Sequence, residues 1–156
     1  MLDHSLFVAL STRLLLQKMG IEEQEEAFTL SLLHDIGKIV FFMHIEWYGK
    51  LIEEAKLKRE SLADMEKDTF GIDHQETGYI LGLKWKLPEI FLRVIKHHHS
   101  HEITNDTSYY ILKFIQEADR FFYYRDEVIS SESYILNKEK ENLLAETDNL
   151  LSILEH

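Results

Sequence analysis

Only six glycines and one proline punctuate this chain of 156 residues, and that scarcity of helix breakers constrains the fold more than any other feature. The apolar residues recur at helical spacing, so nearly the whole chain is predicted to be helix, in a compact all-α, multi-helix bundle. Asp3 is expected to cap a first helix reaching about Met19, with Phe7, Leu10, Leu14 and Leu15 on one face and Gly20 as its stop. A second helix starts near Glu22 among acidic residues that suit its N-terminal dipole, and turns apolar through Ala27, Phe28, Leu30, Leu32 and Leu33. Its end is placed at His34-Asp35-Ile36-Gly37, with Gly37 supplying the turn.

The apolar run Ile39 to Ile45 is short and sits among helices, so it too is read as helix. Further helices are expected over Trp47 to Lys58, Leu62 to Thr69, His74 to Trp85, Pro88 to about His97 and Thr107 to Tyr124. Asp73 and Asp106 suit N-caps, and Pro88 suits a first helical turn. A last helix is expected from about Lys138 to Leu154. There is no internal repeat and no Pro/Gly-rich linker, so residues 1–156 read as one domain. Leu154-Glu155-His156 reads as the start of an expression tag and is set aside from fold reasoning.

Composition narrows the chemistry. Cysteine is absent, which excludes thiolate metal sites and cysteine nucleophiles and fits a reducing cytoplasm. No apolar run reaches the ~18 residues of a membrane span, and Asp3 and His4 stand where a signal peptide would be basic. A net charge of −11 opposes general binding to nucleic acid or to an anionic membrane. The expected location is therefore cytoplasmic, with no membrane partner.

Against this background stand residues that bind hard divalent metals: His4, the pair His34-Asp35, His74, the pair His98-His99, and Asp119. Imidazole and carboxylate together suit Fe, Mn or Zn. Adjacent side chains on a regular helix diverge by about 100°, so the His34-Asp35 pair reaches one site most readily at a helix end. Taken singly, a helical histidine is more often a surface or satisfied core residue. Here five of the nine histidines fall together with two aspartates in one ordered pattern. His97 and His101 read as solvated neighbours of the pair, and His44 as a core-edge residue. The run Phe121-Phe122-Tyr123-Tyr124 reads as packing.

The order of an early His, a central His-Asp pair and a late Asp resembles the HD superfamily of metal-dependent phosphohydrolases. Within it, the chain looks most like the HDOD signalling branch. The similarity spans about residues 3 to 122 and is carried by Leu33-His34-Asp35-Ile36-Gly37-Lys38, by Glu66 before Phe70-Gly71-Ile72-Asp73-His74-Gln75-Glu76-Thr77-Gly78, by Trp85-Lys86-Leu87-Pro88, and by Ile95-Lys96-His97-His98-His99. Residues 123–156 would then be a C-terminal helical extension. HDOD domains usually carry a further N-terminal helical half, and nothing here corresponds to it, so a missing N-terminal domain or a signalling protein is an expected partner.

The catalytic HD-GYP branch is similar through the same His-Asp-Ile-Gly-Lys motif. That resemblance implies two divalent ions, Fe or Mn favoured and Zn, Ni or Mg possible, held by His4, His34, Asp35, His74, His98, His99 and Asp119. Asp35 would bridge them, Lys38 would neutralise substrate phosphate, and Glu66 stands where some relatives add a ligand. The Gly-Tyr-Pro segment of that branch is absent: Ser100-His101-Glu102-Ile103-Thr104 follows His99. The resemblance therefore implies a phosphohydrolase acting on a phosphoester or nucleotide, without pointing to cyclic-di-GMP. The alternative is a non-catalytic HDOD regulatory or scaffold module in bacterial signalling.

Overall fold

The computed structural model describes the backbone of residues 2–100 and 107–130, and the side chains of 3–100 and 110–122. The described residues form eight helices and no strand: α1 (Leu2–Lys18), α2 (Gln24–Leu33), α3 (Ile36–His44), α4 (Tyr48–Lys58), α5 (Leu62–Phe70), α6 (His74–Lys84), α7 (Glu89–His97) and α8 (Thr107–Ser130). The all-α expectation holds. The helix expected over 138–154, the Asp106 cap, His101 and the terminal tripeptide lie outside the described residues.

The chain groups into two compact units, one from Met1–Leu32 and Tyr109–His156, the other from Leu33–Ser108. In the first unit, α1 stops as expected at Gly20, whose φ of 70° is readily adopted only without a Cβ. The Gly20 and Ile21 amides close the end by donating to the Gln17 and Leu16 carbonyls. Asp3 is already inside the first turn of α1, so it meets the helix dipole there and is not the cap. In α8, Ile111, Leu112, Ile115 and Ala118 are buried at helical spacing. Phe7 of α1 packs on Phe121 and Phe122, with ring centroids 6.3 and 5.3 Å away. For those two rings the packing role read from the aromatic run is the observed one.

The second unit holds α3 to α7. Its apolar cluster is Phe41, Tyr48 and Leu51, extended by Ile45, Ile52, Leu62, Met65, Phe70 and Ile72. Ser61 caps α5 by accepting from the Asp64 amide at 3.2 Å, and Gly71, at φ 77°, ends it. Asp73 caps α6 as expected, accepting from the Glu76 amide at 2.7 Å. Pro88 stands one residue before α7, where its fixed φ and missing N–H cost nothing.

The expected role of Gly37 changes. The turn between α2 and α3 is made by His34 and Asp35 themselves, and Gly37 is the second residue of α3. Its missing side chain serves packing: a Cβ on Gly37 would overlap the His74 carbonyl oxygen. Glycine thus lets α3 lie against the start of α6. His44 also departs from expectation, being exposed at the end of α3 where the apolar run gives out.

Candidate metal centre

His34 and Asp35 occupy the two-residue turn that delivers both side chains inward, as the pair's position at a helix end predicted. His34 is fully buried and Asp35 nearly so. His74 enters as the first residue of α6, and His98 and His99 follow the last residue of α7. Ligand atoms of Asp35, His74, His98 and His99 all lie within 4.8 Å of one another. His34 adjoins them, its Nε2 3.4 Å from Asp35 Oδ2 and its ring 5.0 Å from that of His98. His99 is the exposed member, so the group opens to solvent on its side. In the first unit, His4 and Asp119 face each other with Nε2 3.0 Å from Oδ1. Five of the seven expected ligands thus come together in one unit and two in the other.

Hydrogen-bond chemistry fixes which ring nitrogens carry protons. His98 Nδ1 lies 2.8 Å from the Ile95 carbonyl oxygen, which can only accept, so Nδ1 is the N–H. Nε2 of the neutral ring then carries a lone pair. His74 Nδ1 lies 2.6 Å from Glu66 Oε2, and an ionised carboxylate likewise only accepts. The same reasoning puts a lone pair on His74 Nε2.

Both lone pairs face a third acceptor. Asp35 Oδ1 is 3.3 Å from His98 Nε2 and 3.6 Å from His74 Nε2, and neither buried Nε2 makes a hydrogen bond of ordinary geometry. Buried acceptors turned towards one another with no donor between them are costly, and a cation removes that cost. Burial also pushes the His74 imidazole well below its ordinary value, with the Lys38 charge adding to the effect and Asp35 opposing it. Burial lowers His98 in the same way, again against Asp35. Both rings are therefore held in the neutral form that binds metal. Oxygen and imidazole donors without thiolate fit Fe, Mn or Zn.

Lys38 and Glu66 stand behind this group. Lys38 is buried in α3, and its ammonium lies 2.5 Å from Asp35 Oδ2, leaving Oδ1 turned to the imidazoles. Glu66 is fully enclosed. Its Oε1 accepts from the Tyr48 hydroxyl and its Oε2 from the His74 backbone amide at 2.7 Å. Glu66 is thus placed behind His74, where it holds the ring from the side opposite Asp35. Sequence reasoning had no signal for Tyr48, an aromatic residue indistinguishable in sequence from core.

The sequence profile of the HDOD domain matches residues 1–101. The fold is similar to the crystal structure of an HDOD domain protein of unknown function from Geobacter sulfurreducens, with a TM-score of 0.72 and 21% identity over 99% of this chain and 59% of that one. It is also similar to a protein from Shewanella amazonensis provisionally described as a phosphohydrolase, with a TM-score of 0.64 and 23% identity over 81% of this chain and 46% of that one. The chain therefore spans about half the length of each. No curated protein matches the sequence. No helix among the described residues is long and apolar enough to cross a membrane.

Proposed function

The chain belongs to the HDOD family, and within that family we propose that it is a metal-binding member whose centre hydrolyses a phosphoester or nucleotide. Asp35, His74, His98 and His99, with His34 beside them, are the proposed ligands in their unit. The observation that carries this reading is the convergence of two buried imidazole Nε2 atoms, those of His74 and His98, on Asp35 Oδ1 at 3.6 and 3.3 Å. A divalent cation bound there supplies Lewis acidity and a lowered pKa for water. The chain's own residues do the rest: Asp35 and the imidazoles fix the position of positive charge, and the exposed edge at His99 is the side from which a phosphoester approaches. Lys38 holds Asp35 in place and adds positive charge beside the anionic substrate. Fe and Mn are the favoured ions, with Zn, Ni and Mg as alternatives.

A second reading has its own support. Lys38 is only 3% exposed and already pairs with Asp35, which suits a regulatory HDOD module whose metal serves structure and whose surface binds a signalling protein. Metal analysis of tag-free protein, followed by titration with Mn(II) and Fe(II), tests the centre. Thiol uptake cannot confuse the result, because there is no cysteine. His4→Ala and Asp119→Ala, run alongside, report whether those residues contribute to metal content. The loaded protein is then assayed on cyclic dinucleotides, linear dinucleotides and nucleoside phosphates. Full loading with no hydrolysis selects the regulatory reading; no metal uptake rejects both metal-based readings.

A further inference from the structure

Unlike Asp35, the fully buried carboxylate of Glu66 lies behind the His74 ring, at Nδ1, and not at the imidazole lone pairs. It sits in the middle of α5, fully enclosed, three residues after buried Ala63 on the same helix face. Gly71 and Asp73 turn the chain back so that His74, eight residues on, meets it twice, by backbone and by ring. The backbone amide of His74 is among the first N–H groups of α6, which have no intrahelical partner. Asp73 satisfies the Glu76 amide and Glu66 satisfies that of His74. The other Glu66 oxygen is taken by the Tyr48 hydroxyl. Tyr48 is itself immobilised: it is wholly buried in α4, stacked on Phe41 at 5.1 Å and edge-on to Phe42 at 4.9 Å.

A ring pinned at Nδ1 has one orientation and one tautomer available, and a carboxylate behind a ligating imidazole raises its basicity. A histidine free to exchange tautomers presents a lone pair at Nε2 only part of the time. Both oxygens of Glu66 are engaged by Tyr48 and His74, so the carboxylate acts through the ring and not on the ion. We propose that Tyr48 and Glu66 are positioning residues that preset His74 with its proton on Nδ1 and its lone pair on Nε2, tying one metal ligand to the apolar core of α3 and α4.

This rests on the proposed metal centre, and two readouts separate the ideas. Proton–nitrogen correlation spectra of the metal-free full chain report the His74 tautomer directly. The expected result is an Nδ1-protonated ring in the native protein and in Glu66→Gln, whose amide oxygen still accepts, and a mixture of tautomers in Glu66→Ala. Mn(II) titration should then show a loss of about 10–100-fold in affinity for Glu66→Ala. Tyr48→Phe, which loosens Glu66 without removing it, should fall between Glu66→Ala and the native protein. Should Glu66→Ala fail to fold, Tyr48→Phe and Glu66→Gln still decide. An Nε2-protonated His74 in the native protein, or native affinity in Tyr48→Phe together with an unchanged tautomer, overturns the proposal. A native protein that takes up no Mn(II) rejects the metal centre, while the tautomer spectra still judge the positioning of His74.

Discussion

Gly37 and Gly78 meet backbone to backbone: a Cβ on Gly78 would lie 3.1 Å from the Gly37 nitrogen and 2.8 Å from the Ile95 side chain. The contact lets α3 and α6 approach closely enough for Asp35 and His74, which flank it, to share one site. Gly37→Ala places its Cβ against the backbone carbonyl of His74, which cannot move without moving α6. We expect it to cost about 1–3 kcal/mol of stability and to lower metal content. A Cβ on Gly78 would meet the Ile95 Cγ2 methyl at 2.8 Å and the Gly37 nitrogen at 3.1 Å, against 1.8 Å to the His74 carbonyl oxygen at Gly37, so Gly78→Ala should cost less. Denaturant unfolding and metal analysis of both variants check the order; equal, negligible effects would show that the helices can separate freely.

Asp35 and Lys38 are both buried, and their charges compensate at 2.5 Å. Asp35→Ala should abolish metal binding and also destabilise the metal-free fold by about 3 kcal/mol, because a buried ammonium loses its carboxylate. Asp35→Ala combined with Lys38→Met should regain much of that stability without regaining metal. A double variant no more stable than Asp35→Ala would show that the ion pair is not the source of the loss.

Acid should weaken the metal-free protein as pH falls through the ordinary histidine value of about 6.5 and on towards the lowered folded values. His74 and His98 titrate below the ordinary 6.5 in the folded state, chiefly through burial. The unfolded chain therefore binds protons first as pH falls, and stability declines through this window by up to about 1.4 kcal/mol per pH unit for each ring. Glu66, pushed up from 4.5 by burial against the pull of Tyr48 and His74, acts in the opposite direction between its unfolded and folded values. Denaturation midpoints at several pH values, compared with those of a His98→Gln variant, should show a steeper acid loss in the native protein. Identical slopes would mean that His98 does not titrate differently on folding.

Asp73→Ala should remove the cap on α6 at a cost of about 1 kcal/mol, and because His74 is the next residue, metal affinity should fall with it. Asp73 is held below its ordinary value: burial pushes it up, but Lys67 and the Glu76 amide together outweigh that. Lys67 is more than half exposed, so Lys67→Ala should change stability little. A larger effect of Lys67→Ala than of Asp73→Ala would contradict this assignment of the cap.

The helices and the chemistry-bearing residues were legible because each is a local property. Apolar spacing marks α1 to α8, and an adjacent His-Asp or His-His pair is visible wherever it falls. Roles that depend on a partner from elsewhere in the chain were not. Gly37 reads as a turn in sequence because the residue it accommodates, His74, is 37 positions away. Tyr48 gives no sign of its hydroxyl's partner, and the resemblance marks Glu66 as a place for an added ligand, with nothing local to show that its oxygens meet Tyr48 and His74. Lys38 reads as phosphate-facing by the resemblance because nothing local reports its burial or its pairing with Asp35. Boundaries of α1 to α7 shifted by up to three residues, because a helix end depends on its cap, and α8 runs on to Ser130, past the expected end at Tyr124.

The carbonyl that holds His98 belongs to the final turn of α7, where backbone oxygens lack a partner further along the helix. The ring therefore serves as the finial of that helix as well as a proposed ligand, and one bond underlies both duties. Fraying of α7 from its C-terminal end would let the imidazole swivel, so the amides of Lys96 to His99 become a natural gauge of the centre. Their exchange with deuterated solvent should slow when metal is added, at a distance from any residue that had to be altered to see it.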